Sequence, residues 1–283
     1  MKIIKERIIL PSIHHNKSIL GDIRYVENHV EKPLVLFIHG FKGFKDWGHF
    51  NLMADQFAAN GFAFLKINLS HNGTTPDQPT EFADLEAFAE NNYEIELDDI
   101  KTTLDYICSD DFEFNDGKIM KEKIYLVGHS RGGGICILKA SEDTRIKKLA
   151  TWAAVSNFTT WWSEDFLAEW KRSGIQYIYN SRTKQEMPMK YQLIENFNQN
   201  KDRYSIPSAA QNLSIPYLIV HGDADATVSF ESAKEINENC PEAELCVIQG
   251  ANHTFGGKHP YDESDLPQDT WKALSATLNF FKA

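Results

Sequence analysis

Six short, predominantly apolar runs constrain this chain more than any other feature of its sequence. They fall at residues 34–38, 62–69, 123–127, 149–155, 216–221 and 244–248. Helical periodicity occupies residues 48–60, 93–108, 135–141, 230–239 and 268–281. Strands that are apolar throughout, rather than at alternate positions, belong to sheets covered on both faces. Strands alternating with helices of ten or more residues predict a parallel sheet with right-handed crossovers. Residues 3–10 and 19–26 read as an opening antiparallel pair joined by a polar turn, which brings the expected strand count to eight. At 283 residues an α/β chain is routinely a single domain, so residues 1–283 are expected to form one.

One of these runs ends in a motif that carries chemistry. Residues 123–134 read Lys-Ile-Tyr-Leu-Val-Gly-His-Ser-Arg-Gly-Gly-Gly, so Ser130 sits in Gly-x-Ser-x-Gly between a strand and a helix. A serine hydroxyl is a poor nucleophile unless a base takes its proton and the backbone exposes it. A sharp strand-to-helix reversal flanked by glycines provides that exposure. Two further strand ends supply partners. Residues 218–225, Leu-Ile-Val-His-Gly-Asp-Ala-Asp, run into an acidic turn, and residues 250–253, Gly-Ala-Asn-His, follow the run at 244–248. Ser130 is therefore read as nucleophile, His253 as its base and Asp225 as the carboxylate that orients the imidazole. Asp223 competes for the last role, but it directly follows a glycine and suits the turn better.

An acyl-transfer site also needs donors for the oxyanion. Residues 35–43, Val-Leu-Phe-Ile-His-Gly-Phe-Lys-Gly, give a strand and a glycine-bracketed loop. The backbone N–H groups of Phe41 and Arg131, the residue after the nucleophile, form the natural pair. His39 and His129 fall at strand ends and are read as holding their turns. Lys42 and Lys45 are expected to be exposed.

Taken together, His39-Gly40-Phe41, the serine elbow, His221-Gly222-Asp223-Ala224-Asp225 and Ala251-Asn252-His253 resemble the α/β-hydrolase superfamily, whose triads run in the order Ser, Asp, His. Within it the chain most resembles bacterial dienelactone-hydrolase-like and cinnamoyl (feruloyl) esterase-like enzymes, from about residue 34 onward. Dienelactone hydrolases proper carry cysteine where Ser130 stands. The resemblance implies an α/β-hydrolase fold, a mostly parallel eight-stranded sheet with helices on both faces. It also implies a helical lid at about 156–214, where no strand is expected and helices are read at 164–172 and 189–199. That interval is far longer than an ordinary connection. It holds Trp161, Trp162 and Trp170, expected to wall the cleft over Ser130 for a flat or aromatic acyl group.

The expected activity is cleavage of carboxylic esters through an acyl-enzyme, on small-molecule substrates. A prolyl-oligopeptidase-like peptidase and a catalytically silent binding module are the alternatives. No cofactor or metal pattern is present, and no lysine or arginine cluster marks an anion site. With 29 basic and 40 acidic residues the formal net charge is −11, which argues against nucleic-acid or anionic-membrane partners. The first ten residues lack the apolar core of a signal peptide, and no apolar run nears the roughly 20 residues that span a bilayer. Cys108, Cys136 and Cys246 lie in segments that read as buried. A cytoplasmic protein with reduced thiols is expected.

Overall fold

The computed structural model describes residues 2–112, 119–159 and 162–283. Trp161 and most of the acidic stretch 110–116, expected as a solvated loop, lie outside the described residues. The chain begins with β1 (Ile3–Pro11) and β2 (Ser18–Val26). Then come β3 (Lys32–Ile38), α1 (Phe50–Ala59), β4 (Ala63–Asn68), α2 (Leu85–Glu90) and α3 (Tyr93–Cys108). β5 (Ile119–His129), α4 (Arg131–Glu142) and β6 (Ile146–Trp152) carry it to the centre of the sheet. After α5 (Glu164–Ser173), β7 (Ile175–Asn180), β8 (Gln185–Lys190), α6 (Gln192–Gln199) and α7 (Ile206–Gln211), the sheet resumes. Its last elements are β9 (Tyr217–Gly222), α8 (Phe230–Asn239), β10 (Glu244–Ile248) and α9 (Gln268–Lys282).

Eight strands form one sheet in the order β1-β2-β4-β3-β5-β6-β9-β10. β2 pairs antiparallel with β1 and β4, and every other pairing is parallel. The period-two geometry of a strand explains why both faces are apolar. Leu34, Leu36 and Ile38 of β3 join one core with α3 and α4, whereas Val35 and Phe37 join a second with α1 and α9. Strand order reverses around β3 and β5, and the carboxyl ends there are where open α/β sheets place their ligand crevice.

Three expectations are corrected. The interval 156–214 holds an antiparallel hairpin, β7 with β8, besides its helices. The helix read at 189–199 begins only at Gln192, because Met189 and Lys190 finish β8. α4 starts at Arg131 rather than 135, with three glycines inside its first turns. The reason is close approach: a Cβ on Gly132 would lie 2.6 Å from the Ile38 carbonyl oxygen and closer still to that of His39.

Lys45 is also not exposed. It is buried with Lys66, and both ammonium groups bridge Asp22 and Asp46. The Lys45 N–H donates to Asn68 Oδ1 at 2.6 Å. Arg24 also pairs with Asp22 at 3.4 Å, and Lys45 and Asp46 belong to the loop between β3 and α1. Burial pushes the Lys66 ammonium down to about 8 against the opposing pull of Asp22 and Asp46.

Candidate active site

Ser130 occupies the single residue between β5 and α4, at φ 58° and ψ −124°. A side chain in that region is strained and persists only where its surroundings enforce it. Here the Ser130 N–H donates to the Trp152 carbonyl at 2.9 Å, and its own carbonyl accepts from Gly133 at 2.9 Å. The turn thus directs Oγ out of the sheet's carboxyl edge.

His253 lies beyond β10, with its Nε2 2.9 Å from Ser130 Oγ and its Nδ1 2.7 Å from Asp225 Oδ2. With Nδ1–H donating to the carboxylate, the Nε2 lone pair faces the serine hydroxyl. Asp225 Oδ1 accepts the Thr227 and Val228 N–H groups at 2.8 and 2.9 Å. Burial alone would raise this carboxyl, but the hydrogen bonds from His221, His253 and Val228 outweigh it and hold it well below the usual range. Asp223 is directed elsewhere, accepting the Gly250 N–H at 2.6 Å and tying the two loops together.

The other two histidines are braces. His129 Nε2–H donates to the His253 carbonyl at 2.9 Å. His39 Nδ1–H donates to the Gly40 carbonyl at 2.9 Å, and its Nε2 accepts the Leu69 N–H at 3.3 Å. Burial pushes His39 down to about 4 and His129 to about 3, so both are neutral rings.

Arg131 opens α4, where the first N–H groups of a helix lack intrahelical partners and carry the positive end of its dipole. Among the described residues neither its N–H nor that of Phe41 has a hydrogen-bond acceptor. The Arg131 side chain packs against the ring of Phe41 and pairs with α3. Its Nη2 donates to Glu96 at 2.6 Å, and its guanidinium lies 5.1 Å from the Phe41 ring and 4.9 Å from that of Tyr93.

Two chambers meet at Ser130 and His253. One, of about 360 Å³, is apolar, with Tyr93, Phe158, Trp162, Ile178 and Met189 among its walls. The other, of about 330 Å³, is more polar than the first and includes Lys42, Trp47, Asn180, Arg182, Thr254 and His259. Of the expected aromatic wall, Trp162 lines the apolar chamber and Trp161 lies outside the described residues. Trp170 does not reach the cleft. It is fully buried behind Trp162, 5.5 Å between rings, with Nε1–H donated to the Met189 carbonyl at 2.8 Å. Its face of α5 packs inward, which is why the aromatic count alone misled. Asn180 and Arg182 were not anticipated, because the hairpin that carries them was not.

Among the described residues no cluster of three or more His, Cys, Asp or Glu side chains could hold a metal ion. No helix there is long and apolar enough to cross a membrane. All four cysteines are free. Cys136 and Cys240 are buried, and Cys108 and Cys246 are partly so.

Sheet order, serine elbow and the Ser-Asp-His sequence of strand ends define a member of the α/β-hydrolase superfamily. The chain belongs to the BD-FAE family, whose model matches residues 22–240. No curated protein matches the sequence. Among solved structures, Est1E from Butyrivibrio proteoclasticus is 19% identical, with TM-score 0.66 over 98% of this chain and 99% of that one. DcsB, solved with a substrate analogue, is 15% identical, with TM-score 0.72 over 99% and 98%. The acylaminoacyl peptidase of Pyrococcus horikoshii is 14% identical, with TM-score 0.67 over all of this chain but 42% of its own.

Proposed function

We propose that this protein is a serine hydrolase of carboxylic esters that works through an acyl-enzyme without a cofactor. The observation that carries the reading is the continuous chain from Ser130 Oγ through His253 to Asp225, with contacts of 2.9 and 2.7 Å. His253 takes the Ser130 proton as Oγ attacks the ester carbonyl, and the Asp225 carboxylate stabilises the imidazolium. The oxyanion rests on the Phe41 and Arg131 N–H groups. The alcohol leaves with the proton from His253. The same imidazole then activates a water that releases the acid and frees Ser130.

The apolar chamber suits the acyl group, and its flat aromatic walls favour aryl or hydroxycinnamoyl esters. The buried Trp162 Nε1–H has no partner among the described residues and can meet a polar substituent on such a ring. Est1E has been solved with ferulic acid bound, which agrees with this assignment. In this reading residues 156–214 form a lid on a single domain, and the free thiols fit a cytoplasmic setting. Peptidase activity is the second reading, favoured by the peptidase match.

The test is initial hydrolysis of p-nitrophenyl esters from acetate to octanoate plus ferulate, against aminoacyl amides, for the native chain and Ser130→Ala. Saturable ester turnover lost in the variant, with ferulate preferred, is expected. Equal rates in both proteins would refute the serine mechanism, and amide cleavage would favour the peptidase.

A further inference from the structure

The tip of the β7–β8 hairpin concentrates polar groups that the fold leaves unused. Asn180, only 6% exposed, accepts the Arg182 N–H through Oδ1 at 3.2 Å. That bond fixes the amide orientation and leaves Nδ2 without a partner. Arg182 Nη2 is likewise buried without a partner. Its guanidinium is held against two aromatic faces, 5.1 Å from Phe44 and 5.4 Å from Phe82. Among the described residues it forms no ion pair. Both groups line the polar chamber beside Ser130.

Burying an amide N–H and a guanidinium N–H without acceptors costs free energy, which the aromatic contacts of Arg182 offset only in part. In an acidic chain, 40 carboxylates against 29 bases, this chamber has no carboxylate in its walls and has two cations, Lys42 and Arg182. Its remaining titratable groups are His129, His253 and His259. His259 Nδ1 already accepts the Gly48 N–H at 2.8 Å. Beyond Arg182 and His259 the chamber continues into an outer groove of about 570 Å³. Glu81 lines that groove, exposed and beyond ion-pairing distance of Arg182. A neutral alcohol would engage the amide but leave the guanidinium charge unanswered. A carboxylate answers both, since a stacked, planar guanidinium is built for two-point contact with it.

We propose that the polar chamber binds a carboxylate carried on the alcohol part of the ester, gripped by the Arg182 guanidinium and the Asn180 amide. This rests on the ester-hydrolase reading and on the acyl group occupying the apolar chamber. The substrates are then esters of hydroxy acids. Arg182 selects among them without taking part in bond cleavage.

The test compares butanoyl glycolate with butanoyl glycolamide, which share the acyl group and differ in one charged against one neutral carbonyl substituent. The native enzyme is expected to favour the glycolate in kcat/KM by about 10- to 100-fold, mostly through KM, as expected of a charge-assisted hydrogen-bonded contact. Arg182→Met should bring that ratio near one, and Arg182→Lys should restore part of it. A native ratio of one or below, or a preference that survives in Arg182→Met, overturns the proposal. If neither ester turns over, p-nitrophenyl ferulate separates the two failures, since the hydrolase reading falls only if that ester is inert as well, and calorimetric titration with glycolate then decides the chamber. Binding weakened at least tenfold in Arg182→Met supports the site, and no binding to the native chain overturns it.

Discussion

Replacing Gly132 with alanine tests whether the serine elbow and the oxyanion loop work as one unit. The added Cβ would fall 2.6 Å from the Ile38 carbonyl oxygen and still nearer the His39 carbonyl oxygen. Both are backbone atoms of the strand end that leads into Phe41, so no side chain can swing aside. Reaching even a 3.0 Å contact requires α4 and the end of β3 to separate by about 0.5 Å or more, and such overpacking costs about 1–3 kcal/mol. The same movement pulls apart the Phe41 and Arg131 N–H groups, which sit on opposite sides of that contact. Losing one oxyanion donor costs about 2.7–4 kcal/mol, or about 10²–10³ in kcat. We expect Gly132→Ala to remain folded, to lose several degrees in Tm and to lose at least about tenfold in kcat on a p-nitrophenyl ester. Alanine at Gly61, where nothing lies within 4 Å but φ is +93°, should cost stability alone. A Gly132→Ala enzyme with native kcat would refute the coupling.

Other predictions separate neighbouring residues. Asp225→Asn should lower kcat by about 10³–10⁴ by disturbing the His253 tautomer, while Asp223→Ala loses only the contact to Gly250 and should cost under about tenfold; reversed effects would reassign the acid. Trp170→Ala should destabilise by about 3–5 kcal/mol in denaturant unfolding, whereas Trp162→Ala should chiefly flatten the preference for ferulate over butanoate. Acid should unfold the protein early, because His39 and His129 are held down at about 4 and about 3 by burial. Their stabilising share is complete above about pH 6.5 and is lost as pH falls towards 4, at about 1.4 kcal/mol per pH unit each. His49 and His71, also held at about 4 by burial, act in the same direction. Asp99, pushed up to about 6 by burial, offsets one of the four; a Tm unchanged from pH 7 to pH 5 would contradict this balance.

The sheet was readable because its central strands are apolar on both faces, as in Leu34–Ile38, and each pairs with a stretch of the same kind. Ser130, Asp225 and His253 were readable for a related reason, since each stands just beyond such a run and needs only local sequence to be noticed. The β7–β8 hairpin was not. Gln176 and Asn180 dilute its first strand, and Pro188 in its second is tolerated because a two-stranded ribbon has an edge on either side. α2 is a single short helix, yet Asp84 caps it by accepting the Ala87 N–H at 3.0 Å, and an aspartate before Leu-Glu-Ala was a signal to use. The buried positions of Lys45 and Lys66 could not be inferred, because Asp22, which both of them reach, lies on a different strand far from either in the sequence.

Reacting groups and chamber walls also have separate origins in the chain. Ser130, Asp225 and His253 hang from three strand ends fixed by the central sheet. By contrast, Phe158, Trp162, Ile178, Asn180, Arg182, Met189 and Leu193 come from one uninterrupted stretch between β6 and β9. A single exchange of genetic material, with two breakpoints at 156 and 214, would replace this part of the chamber walls and leave the proposed triad in place. Lineages that share this sheet can therefore diverge in diet without relearning their chemistry.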